Sequence, residues 1–266
     1  MKRAAIEIIG KQNCTGCWAC FNACPVKAIR MELDDEGFMY PVVNSIKCSG
    51  CGLCQEKCPV IKESKNESLV EPLIYAAWSN DNETRLVSSS GGIFSEIARK
   101  VLNERGVIFG VRFNKDFIVE HAFCKDEQSL SELRGSKYIQ SHVGDAYLKS
   151  IKSAKQGNLV LFVGTPCQIA ALNKFIEGED FSSKVITCDL ICHGVSSETA
   201  FKEYLRNLSN KYKGNLVNYS FRDKTYGWDK FSIHAEFDNG KMYIKEHEYD
   251  PFYVGFLKNL YLRPSC

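Results

Sequence analysis

The sequence predicts an α+β protein, in which a small cysteine-rich domain at residues 1–62 precedes a larger α/β domain with a mixed sheet at residues 73–266. Three observations lead to this prediction. Eight of the 13 cysteines lie in the first 58 residues, in two runs of identical spacing. Residues 63–72 are polar and free of aromatic side chains, which is typical of a linker. From Leu73 onward, apolar runs alternate with amphipathic stretches, as in α/β folds.

The elements can be assigned in chain order. Between the cysteine runs, residues 28–47 predict two strands joined by an acidic turn near Glu36-Gly37. In the larger domain, strands are predicted at residues 73–79, 107–113, 117–124, 158–164, 184–192, 216–222 and 231–247, the last with a hairpin turn at 238–240. Helices are predicted at residues 88–106, 166–176, 196–209 and 250–261.

Composition restricts the class of protein. The net charge of +2 gives no reason to expect a nucleic-acid partner. No run of 18 apolar residues occurs, so no membrane span is expected. The N-terminus lacks the pattern of a secretory signal, which argues against a disulfide scaffold and favours a cytoplasmic protein. The end of the chain at Cys266, directly after a helix and a proline, suggests a C-terminally truncated sequence.

Each cysteine run reads C-x2-C-x2-C-x3-C-P, the signature of bacterial ferredoxins with two 4Fe-4S clusters. In this pattern the fourth cysteine of each run binds the cluster of the other run. The expected ligands are therefore Cys14, Cys17, Cys20 and Cys58 for one cluster, and Cys48, Cys51, Cys54 and Cys24 for the other. Zinc sites use separated pairs of cysteines, so zinc is the weaker alternative. The N-terminal domain is expected to be ferredoxin-like.

Five further stretches make the chain resemble the beta-subunit family of coenzyme F420 hydrogenases and dehydrogenases. They are SSSGGIFSEIA (88–98), RGSKYIQS (134–141), GTPCQIAAL (164–172), DLICHGV (189–195) and SFRDKTYGWDKFS (220–232). The resemblance implies that the larger domain binds FAD. It also implies an oxidoreductase that moves electrons between a ferredoxin-like or other redox protein, the clusters and a deazaflavin or other small organic substrate. The alternative is an electron-transfer subunit of a larger complex with no substrate of its own.

Three motifs are candidate flavin contacts. Ser89, Ser90, Gly91 and Gly92 precede a helix, where free N–H groups favour a phosphate, although an ordinary serine cap gives the same pattern. Arg134, Lys137 and Tyr138 are expected to bind the pyrophosphate or the flavin ring, although a surface loop would also tolerate them. Thr165 and Pro166 follow a strand and open a helix, a position where open α/β sheets bind ligands.

Three later cysteines form a further hypothesis. Cys167 and Cys192 follow two neighbouring predicted strands, and Cys266 resembles the start of a C-terminal cysteine pair in the family. Together with a cysteine beyond Cys266 they would hold a third 4Fe-4S cluster; the alternative is that they are buried apolar cysteines. Cys124 and Cys188 are expected in the core. His193 is a candidate proton donor, with a structural hydrogen bond as its alternative role.

Overall fold

We describe a computed structural model of the chain, for residues 2–62 and 71–266. The predicted linker at residues 63–72 lies outside the described residues except for its last two positions. Within the described residues, no helix has the length and apolar character needed to cross a membrane.

The N-terminal segment consists of short helices around a β-hairpin. The hairpin pairs β1 (Ile29–Leu33) with β2 (Met39–Val43), as predicted. The first cysteine run follows α1 (Ala5–Asn13) and enters α2 (Ala19–Ala23), and the second run enters α3 (Leu53–Glu56).

The larger part contains a four-stranded mixed sheet with the order β4-β3-β5-β6. Its strands are β3 (Val107–Phe113), β4 (Val119–Cys124), β5 (Val160–Gly164) and β6 (Val185–Asp189). The pair β3 and β4 is antiparallel, whereas β5 is parallel to both β3 and β6. This confirms the predicted mixed sheet.

Helices cover both faces of the mixed sheet. They are α5 (Ile93–Asn103) and α6 (Glu127–Leu133) on one face and α7 (Ala146–Lys155) and α8 (Pro166–Ile176) on the other, while the short α4 (Asn82–Leu86) is bonded to α5 through Thr84 and Arg99. The core of the sheet on the side of α7 and α8 also contains Cys17, Trp18 and Ala19 from the first cysteine run. The N-terminal segment is therefore packed directly on the larger part.

A separate antiparallel sheet completes the fold. It has the order β7-β8-β9, formed by β7 (Leu216–Asp223), β8 (Ser232–Phe237) and β9 (Met242–Glu246). It packs with α9 (Glu198–Tyr212) and α10 (Pro251–Leu257) around a second, aromatic-rich core.

Two strand predictions were wrong in part. Residues 73–79 form no strand, and Leu73, Ile74 and Tyr75 are largely exposed. The apolar pattern there marks an extended segment that lacks a ladder partner, although Ser79 donates its N–H to the carbonyl of Gly91 at 2.7 Å. The strand predicted to run to residue 192 ends at Asp189, because β5 stops opposite it at Gly164.

Candidate redox centres and cofactor cavity

One group of four cysteines comes from both runs. Cys14, Cys17, Cys20 and Cys58 line a single cavity, which we call the inner quartet. Three of these side chains, those of Cys14, Cys17 and Cys58, are buried. Burial raises the pKa of the Cys17 thiol to about 12 and that of Cys20 well above its ordinary value. Thiolates at these positions therefore require a positively charged partner such as a bound metal.

The complementary group forms an outer quartet. Cys24, Cys48, Cys51 and Cys54 line a second cavity, together with Lys2 and Arg3. The backbone N–H of Leu53 lowers the pKa of the exposed Cys51 thiol. The sulfur of Cys24 accepts a hydrogen bond from the backbone N–H of Ala28 at 3.2 Å. The last cysteine of each run therefore lines the same cavity as the first three cysteines of the other run, while the role of these thiols as cluster ligands stays a prediction.

The repeated sequence folds as a repeated backbone. Gly16 and Gly50, each directly before the second cysteine of its run, have φ of +62° and +63°. The residues after those cysteines, Trp18 and Gly52, are also left-handed, with φ of +67° and +84°. These turns bring successive thiols to one side of the loop, around a cavity. In the described part of the chain, no three His, Cys, Asp or Glu side chains close around a single metal ion.

The three later cysteines are brought together beside the inner quartet. Cys167 lies in the first turn of α8, where its sulfur is 3.2 Å from the Thr165 hydroxyl. Burial raises the pKa of Cys192, and the neighbouring Cys167 and Cys266 thiols raise it further. Cys266 packs on Gly194, because a Cβ added to Gly194 would lie 3.3 Å from the Cβ of Cys266. The Cys167 thiol also contributes to the raised pKa of Cys17, after burial.

The side chain of His193, which follows Cys192, contacts Asn259 and Phe256, and the two remaining cysteines lie in a different core. His193 is exposed; its Nε2 is 2.8 Å from the side-chain oxygen of Asn259, and its ring meets Phe256 edge-on. The observed hydrogen bond agrees with the structural alternative. Cys124 is buried and Cys188 is half-buried, both against the core between the sheet and α5.

A wide cavity of about 690 Å³, which we call the tryptophan cavity, opens beside the start of α5. Its lining includes Trp78, Arg85, Leu86, Ser90, Gly91, Lys224 and Trp228. The volume is within the range of small-molecule sites, about 300–1,000 Å³. Two exposed indole faces next to two cationic side chains suit a ligand with flat rings and anionic groups.

The glycines of the SSGG stretch have steric roles at the wall of this cavity. A Cβ on Gly91 would come within 3.0 Å of the Ala77 carbonyl and 3.1 Å of the Trp78 Cβ. Gly92 is the N-cap of α5 with φ of +86°, so the cap is a glycine and no serine side chain caps this helix. Lys224 donates from its ammonium to the Ser90 carbonyl at 3.3 Å and thereby fixes this loop.

The RGSKY stretch adjoins this loop without lining the cavity. The Ser136 N–H donates to the Ser89 hydroxyl at 2.7 Å, which joins the two motifs. Arg134 donates to the Ser95 hydroxyl at 2.9 Å and forms an ion pair with Glu127.

The next two residues of that stretch face the interior. The Lys137 ammonium donates to the carbonyls of Val111 and Arg134 at 2.8 and 2.7 Å and to that of Glu132 at 3.3 Å, while burial lowers its pKa to about 7. Tyr138 packs among the aromatic rings of the second core.

Thr165 and Pro166 form the start of α8, as its N-cap and first residue, next to Cys167.

Sequence reasoning missed four residues that line the tryptophan cavity, namely Trp78, Arg85, Lys224 and Trp228. The GWDK segment lay within a quoted motif, and its tryptophan between Lys224 and Lys230 was the available signal.

Comparisons with known proteins agree with these features. A model described as a 4Fe-4S dicluster domain matches residues 13–61. Models of the N-terminal and C-terminal parts of the coenzyme F420 hydrogenase/dehydrogenase beta subunit match residues 74–147 and 157–266. No curated protein sequence matches significantly.

A chain in the solved structure of the F420-reducing NiFe hydrogenase complex from Methanosarcina barkeri, from a xenon derivatization study, is 16% identical with a TM-score of 0.49. The match covers 71% of this chain and 62% of that one, so this chain spans less than two thirds of the other's length. The 4Fe-4S dicluster domain precedes the region that the two beta-subunit models cover. Because both beta-subunit models match, the chain belongs to the coenzyme F420 hydrogenase/dehydrogenase beta-subunit family, which is an oxidoreductase family.

Proposed function

We propose that this protein is an iron–sulfur flavoprotein that relays electrons between an external one-electron carrier and an organic two-electron substrate such as a deazaflavin. The observation that carries the proposal is that the eight N-terminal cysteines form two crossed quartets, each around its own cavity. The inner quartet would hold one 4Fe-4S cluster and the outer quartet the other. Such clusters supply single-electron transfer when bound.

Flavin binding is proposed for the tryptophan cavity. Trp78 and Trp228 would contact the ring system, while Arg85 and Lys224 would face the pyrophosphate. Ser89, Ser90, Gly91 and Gly92 form or support the wall at the start of α5, and Arg134, Lys137 and Tyr138 hold the adjoining loop from behind. FAD would supply the exchange between one-electron and two-electron chemistry.

A third cluster is proposed at Cys167, Cys192 and Cys266, with a fourth ligand from outside these residues. Their proximity to one another and to Cys17 supports it. Thr165 and Pro166 would shape this site from the start of α8. His193, next to Cys192, is the proposed proton donor, and His193→Gln should then change the pH profile of substrate reduction while leaving cluster and flavin content unchanged.

Serine variants test the crossed ligand sets. In anaerobically reconstituted protein, Cys24→Ser should lose about four irons and leave the same electron paramagnetic resonance (EPR) spectrum as Cys48→Ser. Cys58→Ser should instead match Cys14→Ser. A Cys24→Ser spectrum that matched Cys14→Ser would contradict the crossed assignment, and a colourless wild-type protein would refute the clusters.

Flavin binding is tested by fluorescence titration with FAD. Trp228→Ala should weaken binding about tenfold, since a lost ring contact of ~1.4 kcal/mol corresponds to that factor. Tyr226→Ala is the matched control, because Tyr226 is an exposed aromatic residue in the same loop that is not among the lining residues. Wild-type protein that holds clusters but binds no flavin would favour the alternative role as a pure electron-transfer subunit.

A further inference from the structure

The charged side chain of Arg263 is buried among uncharged groups. Its side chain is only 1% exposed, among the most buried in the protein. Its Nε donates to the Cys14 carbonyl at 2.7 Å, and its two terminal nitrogens donate to the Gln140 side-chain oxygen at 2.8 Å and the Met39 carbonyl at 3.0 Å. All three acceptors are uncharged, and among residues 2–62 and 71–266 no carboxylate forms an ion pair with this guanidinium.

A buried cation without a counter-charge is strongly unfavourable, because hydrogen bonds to neutral groups replace only part of its hydration. Stacking over the Tyr40 ring, 4.2 Å from its centroid, adds a modest cation–π contribution. The site therefore requires an anion close by. The guanidinium donates to the Cys14 carbonyl and lies against Gly16, so the anion that could sit nearest to it is a cluster held by the inner quartet.

The first cysteine loop is shaped around this guanidinium. A Cβ on Gly16 would lie 2.7 to 2.9 Å from three guanidinium atoms, so only glycine leaves room for it. The Gln140 amide, which accepts from Arg263, donates in turn to the carbonyls of Thr15 and Gly16. Ser265 also donates to the Cys14 carbonyl, at 3.0 Å. The end of the chain is thus fastened to the loop that carries two thiols of the inner quartet.

We infer that Arg263 is the buried counter-charge of the inner-quartet cluster, that it raises the reduction potential of that cluster, and that it positions Cys266 beside it. The inference rests on the proposed function, because it assumes an anionic cluster at this quartet. Net charge and hydrogen bonding around a cluster set its potential, and a fixed cation favours the more negatively charged, reduced form. Arg263 is a positioning residue, since it bonds the ligand loop at Cys14 and joins that loop to Gln140 and to β2 at Met39.

The test is an EPR-monitored redox titration of the anaerobically reconstituted protein. Arg263→Gln should shift the inner-quartet potential to lower values and leave that of the outer quartet in place. Arg263→Lys, which keeps the charge, should remain close to wild type. Arg206→Gln is the matched control, because it removes the same charge from an exposed arginine on α9 that is paired with Glu203.

The results for Arg263→Gln and Arg263→Lys distinguish a role of the charge from other roles of the side chain. Loss of the inner cluster in Arg263→Gln but not in Arg263→Lys also supports the counter-charge. An unchanged potential in fully loaded Arg263→Gln, an equal shift in both variants, or loss of the cluster in both would overturn it, since charge would then not be the property required. A wild-type protein without clusters would instead refute the proposed function, so the two failures are distinguishable.

Discussion

Gly16→Ala provides a quantitative test of how the C-terminal segment is joined to the first cysteine loop. Gly16 has φ of +62°, a left-handed conformation that costs a residue with a Cβ about 1–2 kcal/mol. The added Cβ would also lie 2.7 Å from a terminal nitrogen of Arg263. Because the surrounding acceptors are backbone carbonyls and a packed amide, the guanidinium has to move and lose at least one hydrogen bond.

A hydrogen bond to a charged group contributes about 1.5–3 kcal/mol. The total loss for Gly16→Ala is therefore about 2.5–5 kcal/mol in free energy of unfolding. Gly157→Ala is the matched control: Gly157 has φ of +88° and no atom within 4 Å of an added Cβ, so only the backbone term of about 1–2 kcal/mol applies.

The assay is thermal unfolding followed by circular dichroism under anaerobic conditions. At about 2–4 °C per kcal/mol for a chain of this order of size, the midpoint of Gly16→Ala should lie about 3–12 °C below that of Gly157→Ala. In an Arg263→Lys background the difference should disappear, because the smaller ammonium no longer covers Gly16. Equal midpoints for the two alanine variants, or an undiminished difference in the Arg263→Lys background, would refute the reasoning.

Three other predictions concern single side chains. Burial lowers the pKa of Lys137 to about 7, against ~10.4 in the unfolded chain, so between these pH values the unfolded chain binds one more proton than the folded protein. The free energy of unfolding should therefore rise with pH by up to ~1.4 kcal/mol per pH unit. Urea titrations from pH 7 to 10 should show this rise in wild type and not in Lys137→Met. Asp250 is fully buried, accepts hydrogen bonds from the hydroxyls of Tyr204 and Tyr243 at 2.6 and 2.8 Å, and caps α10. Asp250→Ala should therefore lower the free energy of unfolding by about 3–5 kcal/mol in the same assay, and Asp250→Asn by clearly less. Ser197 caps α9 and donates to the turn before β2 at 2.6 Å, so Ser197→Ala should cost about 1–2 kcal/mol, and a loss below about 0.5 kcal/mol would contradict that role.

The parts of the fold that follow from local pattern could be predicted from the sequence. The runs that became β3, β4 and β5 are apolar and bounded by turn residues, and the stretch around Ile93, Ile97 and Val101 has helical period, so burial and periodicity agree. Residues 73–79 failed because an apolar run does not specify a ladder partner. Part of that segment instead forms the wall of the tryptophan cavity, where Trp78 stays exposed.

The site was predictable where spacing fixes geometry and not where distant residues meet. The spacing of the cysteines predicts the crossed assignment, and the lining of the two cavities groups the same residues. Lys137 suggested an anion ligand because a lysine between serine and tyrosine in a loop looks available, whereas the fold directs its ammonium to three carbonyls. The contact between Arg263 and Cys14 joins residues 249 positions apart, and no local pattern encodes such a pair.

The arrangement of thiols gives the proposed relay an order. The outer quartet includes the exposed Cys51 and lies beside Lys2 and Arg3, whereas in the inner quartet Cys17 is buried against the core of the mixed sheet and Cys14 is buried beside Phe38 and Tyr40. The third group adjoins the inner quartet, because Cys167 packs against the same core that contains Cys17. Cys192 and Cys266 of the third group are exposed as well, so the basic residues beside the outer quartet are what distinguish that end, because they suit an acidic carrier protein. We therefore expect exchange with the carrier at the outer quartet, and the inner quartet, held by the C-terminal segment, to be the junction through which electrons pass to or from the larger domain.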